Sequence, residues 1–151
     1  EPWWHTYTDP DRAATQRVLA VSRVETMADR PLDTLSQGER QRVLVARAFM
    51  ADAGLVILDE PAAGLDFVSR ELLVAQVAAL AAAPDRATVL VTHHLEEVPP
   101  TVTHALLLRA GRAVAQGAVD DVVTAAALRE CFGTPIAVER RPGGRWSAWV
   151  P

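Results

Sequence analysis

The sequence predicts an α/β fold with β-rich additions toward its C-terminal end. Two short, continuous apolar runs, Leu55-Val56-Ile57-Leu58 and Thr88-Val89-Leu90-Val91, each stop abruptly at polar residues. Such runs suit strands buried on both faces, as in a parallel sheet. Segments with helical spacing of apolar residues precede and separate them. Two alternating stretches, around Ala110-Gly111-Arg112 and Pro142-Gly143-Gly144, read as hairpins near the end of the chain.

In chain order, residues 1–8 contain Trp3, Trp4 and Tyr7 without clear periodicity. Asp9-Pro10 reads as a helix N-cap followed by Pro at the first helical position. Ala14, Val18 and Val21 then form a helical stripe that Asp29-Arg30-Pro31 ends. A second helix is predicted over 36–50, with Leu44, Ala48 and Phe49 among its apolar positions. The strand 55–58 stops at Asp59-Glu60-Pro61, and a helix over 66–83 follows, with Leu73, Val77 and Leu80 on one side. The strand 88–91 ends at Thr92-His93-His94. Residues 105–108 and 113–115 make the first hairpin, 120–131 a short acid-capped helix with Gly133 beyond it, and 136–140 with 145–150 the second hairpin. There is no internal repeat.

A length of 151 residues corresponds to one domain or a part of one. All 15 basic side chains are Arg. The absence of Lys excludes a Schiff-base lysine, a lysine nucleophile and the phosphate-gripping Lys of a P-loop. A net charge of −4 argues against a nucleic-acid binder working through a basic face. Cys131 stands alone, cannot form an internal disulfide, and reads as a small core residue of a protein from a reducing compartment. No apolar stretch reaches the ~18–20 residues of a membrane helix, and no signal peptide opens the chain. The first residue is Glu1, not Met, so the chain is expected to be processed, trimmed or truncated.

Three constellations carry possible chemistry. Leu35-Ser36-Gln37-Gly38-Glu39 begins a helix. Ser36 and Glu39 satisfy the pattern of a capping box. Gly38 lies outside that explanation, because Gly inside a helix costs up to ~1 kcal/mol relative to Ala. It makes sense where something approaches the backbone closely, and a helix N-terminus with free N–H groups is an anion site. Capping and phosphate binding both remain open.

Asp59-Glu60 follows the first apolar strand. The pair reads either as solvated loop acids or as a site at the C-terminal edge of a parallel sheet, where α/β proteins place ligands. In the second case one carboxylate can hold Mg2+ and the other can orient or deprotonate a water. Thr92-His93-His94 ends the second strand. Adjacent side chains at a strand end point apart, which is poor spacing for a metal, and neither Cys131 nor His104 has a motif that links it to the pair. One His can instead donate a hydrogen bond to a phosphate. Trp3, Trp4, Trp146 and Trp149 read as packing of terminal segments rather than a base-stacking platform.

Together these residues resemble the ATP-binding cassette (ABC) family. Leu35-Ser36-Gln37-Gly38-Glu39 is similar to the family's signature motif, and Arg40-Gln41-Arg42 and Ala46-Arg47-Ala48 continue it. Leu55 through Pro61 resembles the Walker B strand with its catalytic Glu, Ala63-Gly64-Leu65-Asp66 the D-loop, and Val91-Thr92-His93 the switch histidine. Arg109-Ala110-Gly111-Arg112 to Gln116-Gly117 resembles the turn and strand that follow in transporter ATPases. The likeness covers roughly 30–125.

The resemblance implies a P-loop NTPase-like parallel sheet, incomplete because the P-loop strand is absent. Part of the helical subdomain falls in 1–54, the C-terminal half of the ATPase core in 55–130, and a hairpin tail in 131–151. It implies that Asp59 binds Mg2+ through water and that Glu60 is the general base. His93 would hold the γ-phosphate of ATP. Ser36, Gln37 and Gly38 would grip ATP bound mainly by a second nucleotide-binding subunit, and Asp66 would link the two sites. Catalysis of this kind is positioning and charge neutralisation.

The implied partners are that second subunit and transmembrane transporter subunits, with the protein cytoplasmic and peripheral at the inner face of the membrane. No nucleic acid is expected. Gln37 stands where Gly is commonest, Glu39 where Gln is commonest, and His94 where Asp is frequent. The expectation is therefore the C-terminal portion of a longer transporter ATPase. An ABC ATPase of the DNA-repair or chromosome type, and a non-catalytic domain offering only its signature face, are the alternatives.

Overall fold

Thr8 and Asp11 start the first helix with a reciprocal pair of bonds. Thr8 N donates to Asp11 Oδ2 at 2.8 Å, and the Thr8 hydroxyl accepts from Asp11 N. The resulting helix α1 spans Asp9–Ser22, so the cap lies one residue before the expected Asp9, and Pro10 falls within the first turn. In the computed structural model, which describes residues 8–51, 53–84 and 86–151, the chain divides between Val91 and Thr92 into two units. Trp3, Trp4 and Tyr7 lie outside the described residues.

In the first unit α1 ends well before the expected stop at 29–31. Arg23 takes a left-handed φ of 53° and Val24 is fully buried, which turns the chain inward. The carbonyls exposed by this early stop are satisfied by Arg42, whose Nη2 donates to Ser22 O at 2.8 Å and Arg23 O at 2.9 Å. Short 3-10 turns at Glu25–Met27 and Leu32–Thr34 lead into helix α2, Gln37–Met50, capped by Ser36 as expected. Strand β1, Leu55–Asp59, is followed by helix α3, Phe67–Leu80, and strand β2, Ala87–Val91.

The two strands are parallel, in a register that pairs Leu55 with Ala87 and Asp59 with Val91. Val45 and Phe49 of α2 and Leu73, Val77 and Leu80 of α3 close over Val56 and Leu58, with Val18 of α1 at the margin. Among the described residues of this unit, this is the covered face. Leu55 and Ile57 are 51% and 61% exposed, and Val89 and Val91 are exposed on the same side, against the expectation of strands buried on both faces. Within a period-2 strand the bare side is also the side of Asp59.

The second unit is β-rich, as expected. Strands β3, His104–Arg109, and β4, Arg112–Ala118, form an antiparallel hairpin. Ala110 and Gly111 both have positive φ, 48° and 75°, the two-residue turn that matches strand twist. The single helix expected over 120–131 is two: α4, Val119–Val122, and α5, Ala125–Phe132. The break arises because Val122 and Val123 are buried and Thr124 starts a fresh N-cap, its hydroxyl accepting from Ala127 N at 3.3 Å. Strands β5, Ala137–Arg140, and β6, Trp146–Trp149, make the second hairpin.

The core of this unit is Val119, Val123, Leu128 and Trp146. Trp146 is thus a packing residue, whereas Trp149 is 48% exposed. Cys131 is half-buried rather than a core residue, its thiol donating to Leu108 O at 3.3 Å. No helix among the described residues is long and apolar enough to cross a membrane.

Candidate functional site

Four of the sequence-selected positions converge at the N-termini of α2 and α3. Ser36 caps α2: its Oγ accepts from Glu39 N at 3.3 Å, and Glu39 Oε2 accepts from Ser36 N at 2.8 Å. The other carboxylate oxygen of Glu39 is 2.9 Å from Arg30 Nη1. Hydrogen bonds from Ser36, backbone first and then hydroxyl, and from Arg30 hold the Glu39 carboxyl below its ordinary range. The capping reading of Ser36 and Glu39 is therefore realised.

Gly38 answers a different demand. It is buried, and a Cβ built on it would stand 2.4 Å from Ser69 Oγ and 2.7 Å from Ser69 Cβ. The close approach that the sequence required at Gly38 is made, within this chain, by α3. Ser69 is in turn held by Asp66, the N-cap of α3. Asp66 Oδ1 accepts from Ser69 N at 3.0 Å and Oδ2 from Ser69 Oγ at 2.6 Å. These bonds, the side-chain one foremost, lower the Asp66 pKa. Gly64 sits at φ 72°, a backbone that favours Gly. A Cβ there would lie 3.1 Å from Gln37 Nε2. Gln37 and Gly38 thus meet Gly64 and, through Ser69, Asp66.

Asp59 and Glu60 form the second cluster. Asp59 is the last residue of β1, and both carboxylates are exposed. Glu60 has a φ of 43°, an uncommon backbone for a side-chain-bearing residue, and it precedes Pro61. The conformation is held by Glu60 N donating to Val91 O at 2.9 Å and by Ala63 N donating to Glu60 O at 3.1 Å. The turn thus places two exposed carboxylates next to one another at one strand end. Hard carboxylate oxygens at the C-terminal edge of a parallel pair fit a Mg2+ ion.

His93 belongs to the second unit and is exposed. Its ring lies against that of His94, centroids 4.1 Å apart and tilted by 41°, and His94 Nδ1 lies 3.6 Å from Glu96 Oε1. Beside them Thr92 Oγ1 donates to Glu97 Oε2 at 2.6 Å and accepts from His94 N at 3.0 Å. Glu97 is only 5% exposed.

Sequence reasoning missed Ser69, Glu97, Arg86 and the capping role of Arg42. Ser69 had a signal, the Asp66-x-x-Ser69 spacing of a helix cap. Arg86 closes the end of α2, donating to Phe49 O, Ala51 O and Ala53 O with its guanidinium 5.6 Å from the Phe49 ring centre. Nothing in the local sequence distinguishes it from a surface Arg, whereas Arg42 stands in the Arg40-Gln41-Arg42 continuation of the signature-like motif without a sign of its bonds to Ser22 O and Arg23 O.

The family model described as "ABC transporter" matches residues 5–63. Over 112 residues the chain is 47% identical to the uncharacterized ABC transporter ATP-binding protein YlmA of Bacillus subtilis, an alignment covering 74% of this chain and 42% of that one. It is 37% identical over 134 residues to the hemin import ATP-binding protein HmuV of Streptomyces coelicolor, covering 89% of this chain and 48% of the relative. The chain spans about half the length of the curated relatives it matches. Among solved structures, the ADP conformation of MJ1267, an ATP-binding cassette of an ABC transporter, superposes with a TM-score of 0.72 at 20% identity, over 87% of this chain and 52% of that one. That likeness supports the expected partial P-loop NTPase-like fold.

Proposed function

We propose, from the premise that this chain belongs to the ABC transporter ATP-binding family as a partial ABC domain, that it is part of a subunit coupling ATP hydrolysis to transport across a membrane. The observation that carries the reading is Glu60, an exposed carboxylate held in a left-handed backbone at the end of β1 beside Asp59. Strain of this kind persists only where the surroundings enforce it, and it concentrates at functional sites.

In this reading Glu60 accepts the proton of the attacking water and Asp59 holds Mg2+ through its hydration shell. Bound Mg2+ supplies charge neutralisation at phosphate oxygens. His93 donates to the γ-phosphate. Ser36, Gln37 and Gly38 present the N-terminus of α2 to ATP held mainly by a second subunit, and Asp66 belongs to the D-loop between the two sites. Glu39 orients Ser36 in that arrangement. It also occupies the Ser36 hydroxyl, so phosphate engagement has to share or displace that bond.

The 151 residues contain no Lys, and a lysine-bearing phosphate loop is not among them. The residues present fit the Mg2+, water-activating and signature parts of the site, and the phosphate cradle is supplied outside them. The domain layout 1–54, 55–130 and 131–151 follows the same reading. The hemin import role named for HmuV supports a partner set of transmembrane subunits, with the protein cytoplasmic and peripheral at the inner membrane face.

The test is Glu60→Gln in the intact protein. ATP turnover is expected to vanish while ATP binding persists; undiminished hydrolysis overturns the assignment.

A further inference from the structure

The loop that carries His93 is fixed on one side by the half-buried Thr92 and the buried Glu97. Thr92 Oγ1 donates to Glu97 at 2.6 Å and accepts from His94 N at 3.0 Å, so the residues flanking His93 are tied to one buried carboxylate. Residues of the β5–β6 hairpin meet the 3-10 turn Leu95–Glu97 that contains this carboxylate, and the segment just after it. Arg145 Nη2 donates to Glu96 O. Leu95 and Val98 pack on the buried cluster that includes Trp146. At Gly144 an added Cβ would lie 3.0 Å from Pro100 Cβ, a close approach of the hairpin to the segment after the turn. The hairpin is braced in turn, since Arg140 Nε donates to Gly144 O at 3.3 Å and its guanidinium lies 5.4 Å from the Trp146 ring centre.

We propose that the β5–β6 hairpin is a strut for the His93 loop and that Arg145 is its positioning residue. The hydrogen bond to Glu96 O sets the turn, the turn carries Glu97, and Glu97 sets Thr92 and His94 on either side of His93. The inference rests on the reading of His93 as the residue that contacts the γ-phosphate. It gives the C-terminal Trp-containing segment a role in the reaction through geometry, with no contact to the nucleotide.

The experiment uses the full-length protein and Arg145→Met, which keeps the apolar stem and removes the donors. Turnover is expected to fall by up to about 100-fold, the scale of a misplaced catalytic group. Nucleotide affinity should stay within about twofold, and the His93 ring resonances should shift in NMR spectra at fixed pH. Arg145→Lys restores part of the turnover. Arg141→Ala, a hairpin change that leaves the bond to Glu96 O in place, leaves both readouts unchanged. Unmoved His93 resonances in Arg145→Met overturn the proposal, as does a parallel loss of affinity and turnover. His93→Ala in the same protein separates the two readings. Retained turnover there removes the role of His93, while the resonance shift in Arg145→Met still reports on the strut.

Discussion

Ser69 Oγ occupies the space that a side chain on Gly38 would need, 2.4 Å from its ideal Cβ, and the same oxygen donates to Asp66 Oδ2 at 2.6 Å. One hydroxyl therefore joins the start of α2 to the cap of α3. The glycine at the signature position has a packing cause inside this chain, whatever ligand it also serves. The two helix starts cannot shift independently without breaking a cap or opening a gap.

Gly38→Ala should be destabilising despite the higher helix propensity of Ala. The added methyl has to displace Ser69 or part the helices, an overpacking cost of about 1–3 kcal/mol that exceeds the ~1 kcal/mol propensity gain. Ser69→Ala does not relieve it, because the Ser69 Cβ is itself 2.7 Å from the new atom. Ser69→Gly does, so the double change Gly38→Ala with Ser69→Gly should cost less than the sum of the two single changes in urea unfolding. Strict additivity would mean that the helices do not meet there.

Asp66 and Glu39 make the stability of the first unit sensitive to acid. Both carboxyls have folded-state pKa values below their ordinary ones, Asp66 through Ser69 and Glu39 through Ser36 and Arg30. A depressed folded pKa contributes stability that is fully present above the unfolded value, about 4. That contribution is lost as pH falls through the folded value. Unfolding midpoints measured from pH 6 downward should therefore decline below about pH 4. The decline should be shallower in Asp66→Asn and in Glu39→Gln, which lack the titrating group. Identical slopes in the parent and both variants would remove these caps from the acid sensitivity.

The parts legible in the sequence were those governed by local rules. The capping box of Ser36 and Glu39, both hairpin turns and the apolar runs of β1 and β2 follow from spacing within a few residues. The misreadings came where distant contacts prevail. α1 stops at Ser22 because Val24 is drawn into the interior and Arg42, twenty residues on, takes the freed carbonyl of Ser22. The helix expected over 120–131 breaks because Val122 and Val123 both go inside. Gly38 was singled out correctly as a point of close approach, but the neighbour, Ser69, is 31 positions away (69 minus 38) and no local pattern names it. In the same way Arg145 and Glu96 reach each other only across the folded second unit.

Glu60 offers a separation of stability from activity. Its φ of 43° is a region where a residue with a Cβ pays roughly 1–2 kcal/mol that Gly does not. Gly loses more chain entropy on folding, by roughly 0.5–1 kcal/mol, so on backbone terms alone Glu60→Gly should leave a net gain of about 0–1.5 kcal/mol. The bond from the backbone N–H of residue 60 to Val91 O survives the change, since it uses no side chain. Thermal unfolding of Glu60→Gly should accordingly occur at or above the parent temperature while ATP turnover disappears. That combination is expected of a carboxylate kept for chemistry in a backbone that would be more stable without it. A clear drop in unfolding temperature would instead make the Glu60 side chain a structural part of the turn and would withdraw backbone strain as an argument for its role.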